Sequence, residues 1–444
     1  MNNRNRSLLG IGMAFAAGVA AAQAGKGPTQ VVKPPVSQAW IDVATFSGFG
    51  MPAMGGGPPG ASPMSMMSGM FGGGQSTRNA FGHTQTSTAG RWVDVTLYTS
   101  RNPSLAEALQ AVPAGTQLAP TLKLVAPKID KPAPAPHDEG VVPQEYERPK
   151  GKMYLYWGCG ETVRAGQPRV LDMATAKPEE YGKFFVSRRA TQRGAHSGAG
   201  RPLWPNEMDA RMVPAGASLV GEHGFSGQGV PEGFRFGIPA AQDLMPEVAL
   251  KQTDAGGSTQ LEWAALPTAR AYFIAAMGAK GGMGGMGGGS DPEMVFWTSS
   301  EVPETGSGLV DYQTNPSIDR WLQERVLLAP TVTRCAVPKG IFGEGGGAML
   351  RMIAYGSELN LAHPPRPTDL KIAWEPQWAV KVRVKSVANA MLGVDMGEMQ
   401  RGPAGRPQSR PQAQDAAAPP AAAETKQEEK MPDAVNILRG ILGR

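Results

Sequence analysis

The sequence predicts a mainly β protein of two tandem duplicated β-sandwich modules, each with one short helix, followed by a disordered C-terminal tail. Three observations predict it. Several segments alternate apolar and polar residues with period two, a long series of features recurs in the same order in both halves, and the composition changes abruptly near residue 402.

At the N-terminus, Arg4 and Arg6 precede the apolar run Leu8 to Ala22, which ends in Ala22-Gln23-Ala24. A charged start, a short apolar stretch and small residues at a cleavage position are the pattern of a secretory signal peptide, here 1–24. The run is shorter than the roughly 20 apolar residues of a bilayer span. Gly25 stands where a lipoprotein carries its lipid-accepting cysteine. The expected location is therefore periplasmic or extracellular. Cleavage leaves 41 basic against 38 acidic residues, a balance too small to imply nucleic acid.

Strands follow from alternation. "VDVTLY" sets Val93, Val95 and Leu97 against Asp94, Thr96 and Tyr98, and "AVKVRVKS" sets Val380, Val382 and Val384 against Lys381, Arg383 and Lys385. Period two means a half-buried strand with its polar residues in solvent.

The repeat is clearest in "NPSLAEALQ" at Asn102 and "NPSIDRWLQ" at Asn315. Before each frame come an aromatic-aliphatic run, a Met/Gly-rich stretch and a second extended run; after each comes Ala-Pro-Thr. From Glu161 and Glu358 onward, one offset aligns Arg169 with Arg366, Asp172 with Asp369 and Tyr181 with Trp378. The modules are placed at 25–200 and 201–400, with Met/Gly-rich loops at 49–76 and 277–290. Each frame reads as a helix start. Asparagine is a good cap, proline is tolerated at the first helical position, and Leu105 with Leu109, or Ile318 with Leu322, share one helical face. Residues 201–257 hold probable strands with no counterpart ahead of the first module, either completing the second or lying across both. The stretch 127–150 reads as a long loop. Residues 401–432 lack aromatic and large aliphatic side chains and read as a disordered linker. They lead to a short amphipathic helix at 433–444 with Val435, Leu438, Ile441 and Leu442 on one face, a contact for a partner or a membrane surface.

"LEWAALPTARAYFIAAMG" carries Leu261, Trp263, Pro267, Ala271 and Tyr272 in a pattern that resembles adjacent strands of fibronectin type III and other immunoglobulin-like sandwiches. The Gly-rich insertion after Met277 and the helix expected at 316 depart from that topology. The whole chain also resembles a group of bacterial secreted proteins, a likeness that implies a location and no activity.

Site chemistry is sparse. Met64, Met66, Met67 and Met70 in the first Gly-rich stretch, and Met283 and Met286 in the second, offer soft thioether donors suited to Cu(I); the alternative is a mobile apolar contact surface. Cys159 and Cys335, the only cysteines, are an even pair in an oxidising compartment, either a disulfide or two buried thiols. Arg188, Arg189 and Arg193 form a candidate anion-binding loop. The duplicated Glu161/Glu358, Arg169/Arg366 and Asp172/Asp369 suit turn or salt-bridge roles, and His196 and His223 are expected at the surface in Gly-rich loops. H-E-x-x-H, P-loop, C-x-x-C and G-x-S-x-G motifs do not occur. The expectation is a secreted, non-enzymatic binding or scaffolding protein of the envelope, without a cofactor, whose partner is an envelope protein or polymer. The alternatives are a periplasmic copper-binding protein and a hydrolase.

Overall fold

A computed structural model of the chain describes residues 30–48, 81–85, 88–128, 150–186, 188, 194–280, 293–343 and 347–392. It is mainly β, as the alternating segments predict. Its strands, in chain order, begin with β1 (Ser37–Gly48), β2 (Gly90–Thr99), β3 (Glu107–Ala111), β4 (Thr121–Val125), β5 (Lys152–Trp157) and β6 (Arg169–Asp172), followed by helix α1 (Pro178–Phe184). Next come β7 (Leu203–Trp204), β8 (Gly221–Gly227), β9 (Arg235–Ile238), β10 (Lys251–Ala255) and β11 (Ser258–Glu262). The last group is β12 (Ala271–Ala279), β13 (Glu293–Thr298), helix α2 (Asn315–Gln323), β14 (Arg334–Val337), β15 (Ala348–Tyr355), β16 (Leu359–His363) and β17 (Trp378–Leu392).

Fourteen strands share one sheet in the order β6-β5-β13-β12-β15-β17-β1-β2-β7-β4-β3-β8-β9, with β16 paired beside β17. The remaining three form a second sheet, β10-β11-β14. The long sheet turns over at β7, where Trp204 pairs with Val95 of β2 and Leu203 pairs with Val125 of β4. Strands β3, β4, β8 and β9 thereby face β1 and β2: Ile41, Val93 and Val95 share a small internal cavity with Leu122, Leu219 and Ile238, and Phe234 stacks on Trp378 at 4.8 Å. At the other end the small sheet covers β12 and β13, with Trp263 edge-on to Tyr272 at 5.6 Å. One continuous apolar cluster fills both sandwiches. Residues 201–257 lie across both: β7 to β9 complete the first sandwich and β10 belongs to the second.

The two halves interleave in the sheet. β1 pairs in parallel with β17, and β13 pairs in parallel with β5, so the sheet runs through residue 200 without a break. The two hairpins match as predicted, β1 with β2 and β12 with β13, each antiparallel and each interrupted by a Met/Gly-rich segment.

The paired helices do not match. At Asn315 the frame is a helix, capped by Thr314, whose Oγ1 accepts from the Ser317 N–H at 3.3 Å. At Asn102 the same frame is a turn leading into β3, which corrects the expected helix. β3 has strand neighbours on both sides, β4 and β8, which satisfy its backbone with ladder bonds. Its burial alternates, with Ala108 and Gln110 inward and Leu109 outward and 46% exposed, where a helix would have put Leu109 beside Leu105. The short helix of the first half is α1 instead. Its Glu180 side chain accepts from the Lys177 N–H at 2.6 Å, and Pro178 opens it.

Candidate functional site

Ionisable groups are concentrated on the side of the long sheet away from the main core. Lys381, Arg383 and Lys385 alternate on β17 as predicted, but they do not face solvent. In parallel register Arg383 lies beside Asp42 of β1, and Asp42 lies opposite Asp94 of β2. Arg383 donates from Nε to Asp42 Oδ1 at 2.7 Å and from Nη2 to Oδ2 at 2.6 Å, with both side chains almost fully buried. Lys385 Nζ meets Asp311 Oδ1 at 3.0 Å, and Lys381 Nζ meets Glu358 Oε1 at 2.9 Å. The Tyr312 ring lies 4.3 Å from the Arg383 guanidinium and 4.2 Å from the Lys385 ammonium, and its hydroxyl donates to the Val43 carbonyl at 2.9 Å. The expected solvated cationic face is thus an interior one. It is roofed by the cluster that packs Leu309, Ile318 and Trp321 on Ala44, Phe46 and Val387. Gly194 closes the roof, since a Cβ there would overlap the Arg383 guanidinium.

The charges inside this layer hold one another. Burial pushes the Asp94 carboxyl up to about 6, against hydrogen bonds from the Thr84 hydroxyl and N–H and from the Gly82 N–H, and the charge on Asp42 pushes the same way. Burial also lowers Arg351, to about 10. Removing one member of a buried pair such as Asp42 and Arg383 strands the other, at a cost of about 3–5 kcal/mol. These interactions specify the fold.

Arg188, expected to bind anions, is likewise committed. Its Nε meets Glu304 Oε2 at 2.7 Å, its Nη1 meets Glu324 Oε2 at 2.5 Å, and Glu304 is fully buried. Burial raises the Glu304 carboxyl, and Arg188 with the Gly306 N–H opposes the rise. Arg189 and Arg193 lie outside the described residues.

Among the duplicated polar residues, the two aspartates hold turns and Glu358 holds the Lys381 salt bridge. Asp172 and Asp369 accept, each through Oδ1, from the N–H two residues on, Ala174 at 3.0 Å and Lys371 at 2.9 Å. Arg169 donates to the Lys183 carbonyl, Arg366 donates to Gln30, and Glu161 accepts from Gln260. His223 corrects its surface assignment. It is an inward position of β8, stacked on Phe236 at 5.6 Å, with Nε2 2.7 Å from the Leu219 carbonyl oxygen, and burial lowers its pKa. His196 is exposed, as expected, with its ring edge-on to Trp40. Strand periodicity through "EHGFSG" was the signal for His223, hidden by the glycines. Of the acids that neutralise β17, Asp42 was visible as a lone carboxylate inside an otherwise apolar run, whereas Asp311 and Glu358 lie far along the chain in loops.

Cys159 and Cys335 are joined, with an S–S distance of 2.05 Å. The bond ties the loop after β5, in the long sheet, to β14 in the small one. Open concave surface occurs at the sheet ends. One groove of about 640 Å³ lies over β8 and β9 and is lined by Leu109, Ala111, Gly224, Ser226, Pro231 and Arg235 among others. A second, of about 880 Å³, lies between β6 and α1, with Val170, Asp172, Ala176, Glu180, Lys183 and Val186 in its lining.

No family model matches the chain, and no curated protein is significantly similar to it. The residues themselves carry the functional reading.

Several predicted features lie outside the described residues: the segment 1–24, Met64, Met66, Met67, Met70, Met283 and Met286, the linker 401–432, and Val435, Leu438, Ile441 and Leu442 of the C-terminal segment. The described chain does fix where the methionine-bearing segments begin. β1 and β12 both run parallel to β17, so the exits at Gly48 and Lys280 lie at the same end of the sheet. Among the described residues, no helix is long and apolar enough to cross a membrane, and no group of three or more His, Cys, Asp or Glu is placed to hold a metal ion.

Proposed function

We propose that this protein is a secreted, non-enzymatic binding or scaffolding component of a bacterial envelope that holds an extended segment of another envelope protein along a sheet edge. The observation that carries this reading is the position of the two grooves: each adjoins a terminal strand of the long sheet, β9 at one end and β6 at the other. A terminal strand presents a row of unpaired backbone groups, to which an extended chain can add. Beside each edge stand an exposed aliphatic side chain, Leu109 or Val170, and a few charges. Such a surface makes many weak contacts along a length and gathers few groups at one point. The disulfide suits an oxidising location, in keeping with the signal-like start.

The test is capture from intact envelopes after cross-linking, with the mature chain and with Leu109→Lys and Val170→Lys variants. Both side chains are exposed, so the fold tolerates the change. Loss of a protein partner with either variant supports the reading. Recovery of the same partners by a chain carrying both substitutions overturns it, as does capture of polysaccharide alone.

A further inference from the structure

We propose that the end of the sheet from which the Met/Gly-rich segments leave carries a thioether site for a soft monovalent cation, Cu(I) by chemical class, formed by Met277, Met349 and Met391. This goes beyond the binding role above and rests on different residues.

The three lie in one row on three adjacent strands. Met277 of β12 is directly opposite Met349 of β15, and Met349 is directly opposite Met391 of β17. Directly opposed residues of antiparallel strands point to the same face, with Cα atoms about 4.5–5.5 Å apart. Long, unbranched thioether side chains reach across that spacing, so three sulfurs can meet above the middle strand. Met294 of β13 and Met153 of β5, in register with each other, continue the patch. Met173 packs there as well.

The placement is not that of methionine used at random as core filler. On this same face the strands carry Ala271, Phe273 and Ala275, then Met277; Tyr355, Ile353 and the buried Arg351, then Met349; Val387 and the buried Asn389, then Met391. Methionine replaces other apolar residues only at the end where the chain exits at Gly48 and Lys280. Met277 is buried while Met349 and Met391 are partly exposed, so an ion can enter from the rim. The donors are neutral and soft, which selects Cu(I) or Ag(I) over harder ions. Arg351, buried on the same face two residues from Met349, adds a positive neighbour that disfavours a divalent ion more than a monovalent one.

The experiment uses the mature chain in a background where the eleven methionines within 51–70, 283–286 and 396–431 are leucine. This removes every competing thioether of those segments. Anaerobic titration with Cu(I) against a chelator, repeated with Ag(I), should show one equivalent bound, lost when Met349→Leu and Met391→Leu are added. Leucine keeps the apolar volume, and thermal unfolding checks the fold. With methyl-labelled methionine, Ag(I) should shift the resonances of Met277, Met349 and Met391 and leave Met245 and Met352, in the core on the opposite face, in place. No bound equivalent in the background chain overturns the proposal, and so does binding that survives the two added substitutions.

Discussion

Asp94 shows how a single residue records the cost of an interior charge layer. Its carboxyl accepts three hydrogen bonds and still has its pKa pushed up to about 6, because burial and the neighbouring Asp42 outweigh them. A raised carboxyl means that the folded chain binds the proton more tightly than the unfolded chain. Between the unfolded value near 4 and the folded value near 6, the native state holds more protons, so the contribution of Asp94 to stability falls as pH rises and is recovered as pH drops. From pH 7.5 to pH 5 this amounts to about 1.4 kcal/mol. Asp94→Asn has no such proton to take up. Urea unfolding of both proteins at the two pH values should show the wild-type chain gaining about that much relative to the variant at pH 5, the shared titrations cancelling in the difference. A pH-independent difference would contradict the assignment. The sequence displayed Asp94 as a polar residue of an alternating strand. It did not display the second cover that makes the polar side an interior, because that cover comes from residues more than 200 positions away, among them Leu309 and Tyr312.

At the scale of elements, two similar frames give different structures, and the reason is the partners each frame meets. α2 buries Ile318 and Trp321 and is held at its start by two devices. Thr314 caps the Ser317 N–H, while Asn315 accepts from the Glu358 N–H at 2.9 Å and donates to the Glu358 carbonyl at 2.8 Å. The cap is one residue earlier than the sequence pattern put it, and Asn315 fastens the helix to the chain before β16. Thr314→Ala should therefore lower stability by about 1 kcal/mol in urea unfolding while far-ultraviolet circular dichroism keeps its native form, since burial of Ile318 and Trp321 holds the helix in place. Loss of helical signal would mean that the cap, and not packing, supports α2. The strands, both hairpins and α2 were legible in the sequence because period and turn chemistry are local. Three things were not: β3, whose helical spacing of Leu105 and Leu109 yielded to two waiting strand edges; the inward turn of His223; and the destination of Arg188. Each depends on a neighbour supplied by the other half of the chain.

For the whole molecule, the interleaved strand order decides what the disulfide does. Were the halves separate domains, a bond between them would tether two independent cores. Here one core runs through both sandwiches, and the central strands β12, β15, β17 and β1 are held by long ladders on both sides. The bond sits away from that centre. It fastens the end of β5, which has only β13 and the four-residue β6 as neighbours, to β14, one edge of a three-stranded sheet. Closing a loop across 176 positions stabilises the chain by about 5 kcal/mol if the unfolded ensemble is the main thing constrained. The native-state consequence is local, because these peripheral strands have the fewest other attachments and open at the lowest cost. In a Cys159→Ala/Cys335→Ala chain, amide exchange should accelerate first in β5, β6, β10, β11 and β14, with β1, β12, β15 and β17 keeping their protection at equal denaturant distance from the unfolding midpoint. The global midpoint should fall as well. Uniform acceleration across all strands would show the bond acting only on the unfolded chain. Unchanged exchange with an unchanged midpoint would show that the two sheets hold together without it. The expected outcome, selective loosening of the outer sheet over an intact centre, follows from a fold in which both sandwiches share one continuous middle and only their margins need a covalent tie.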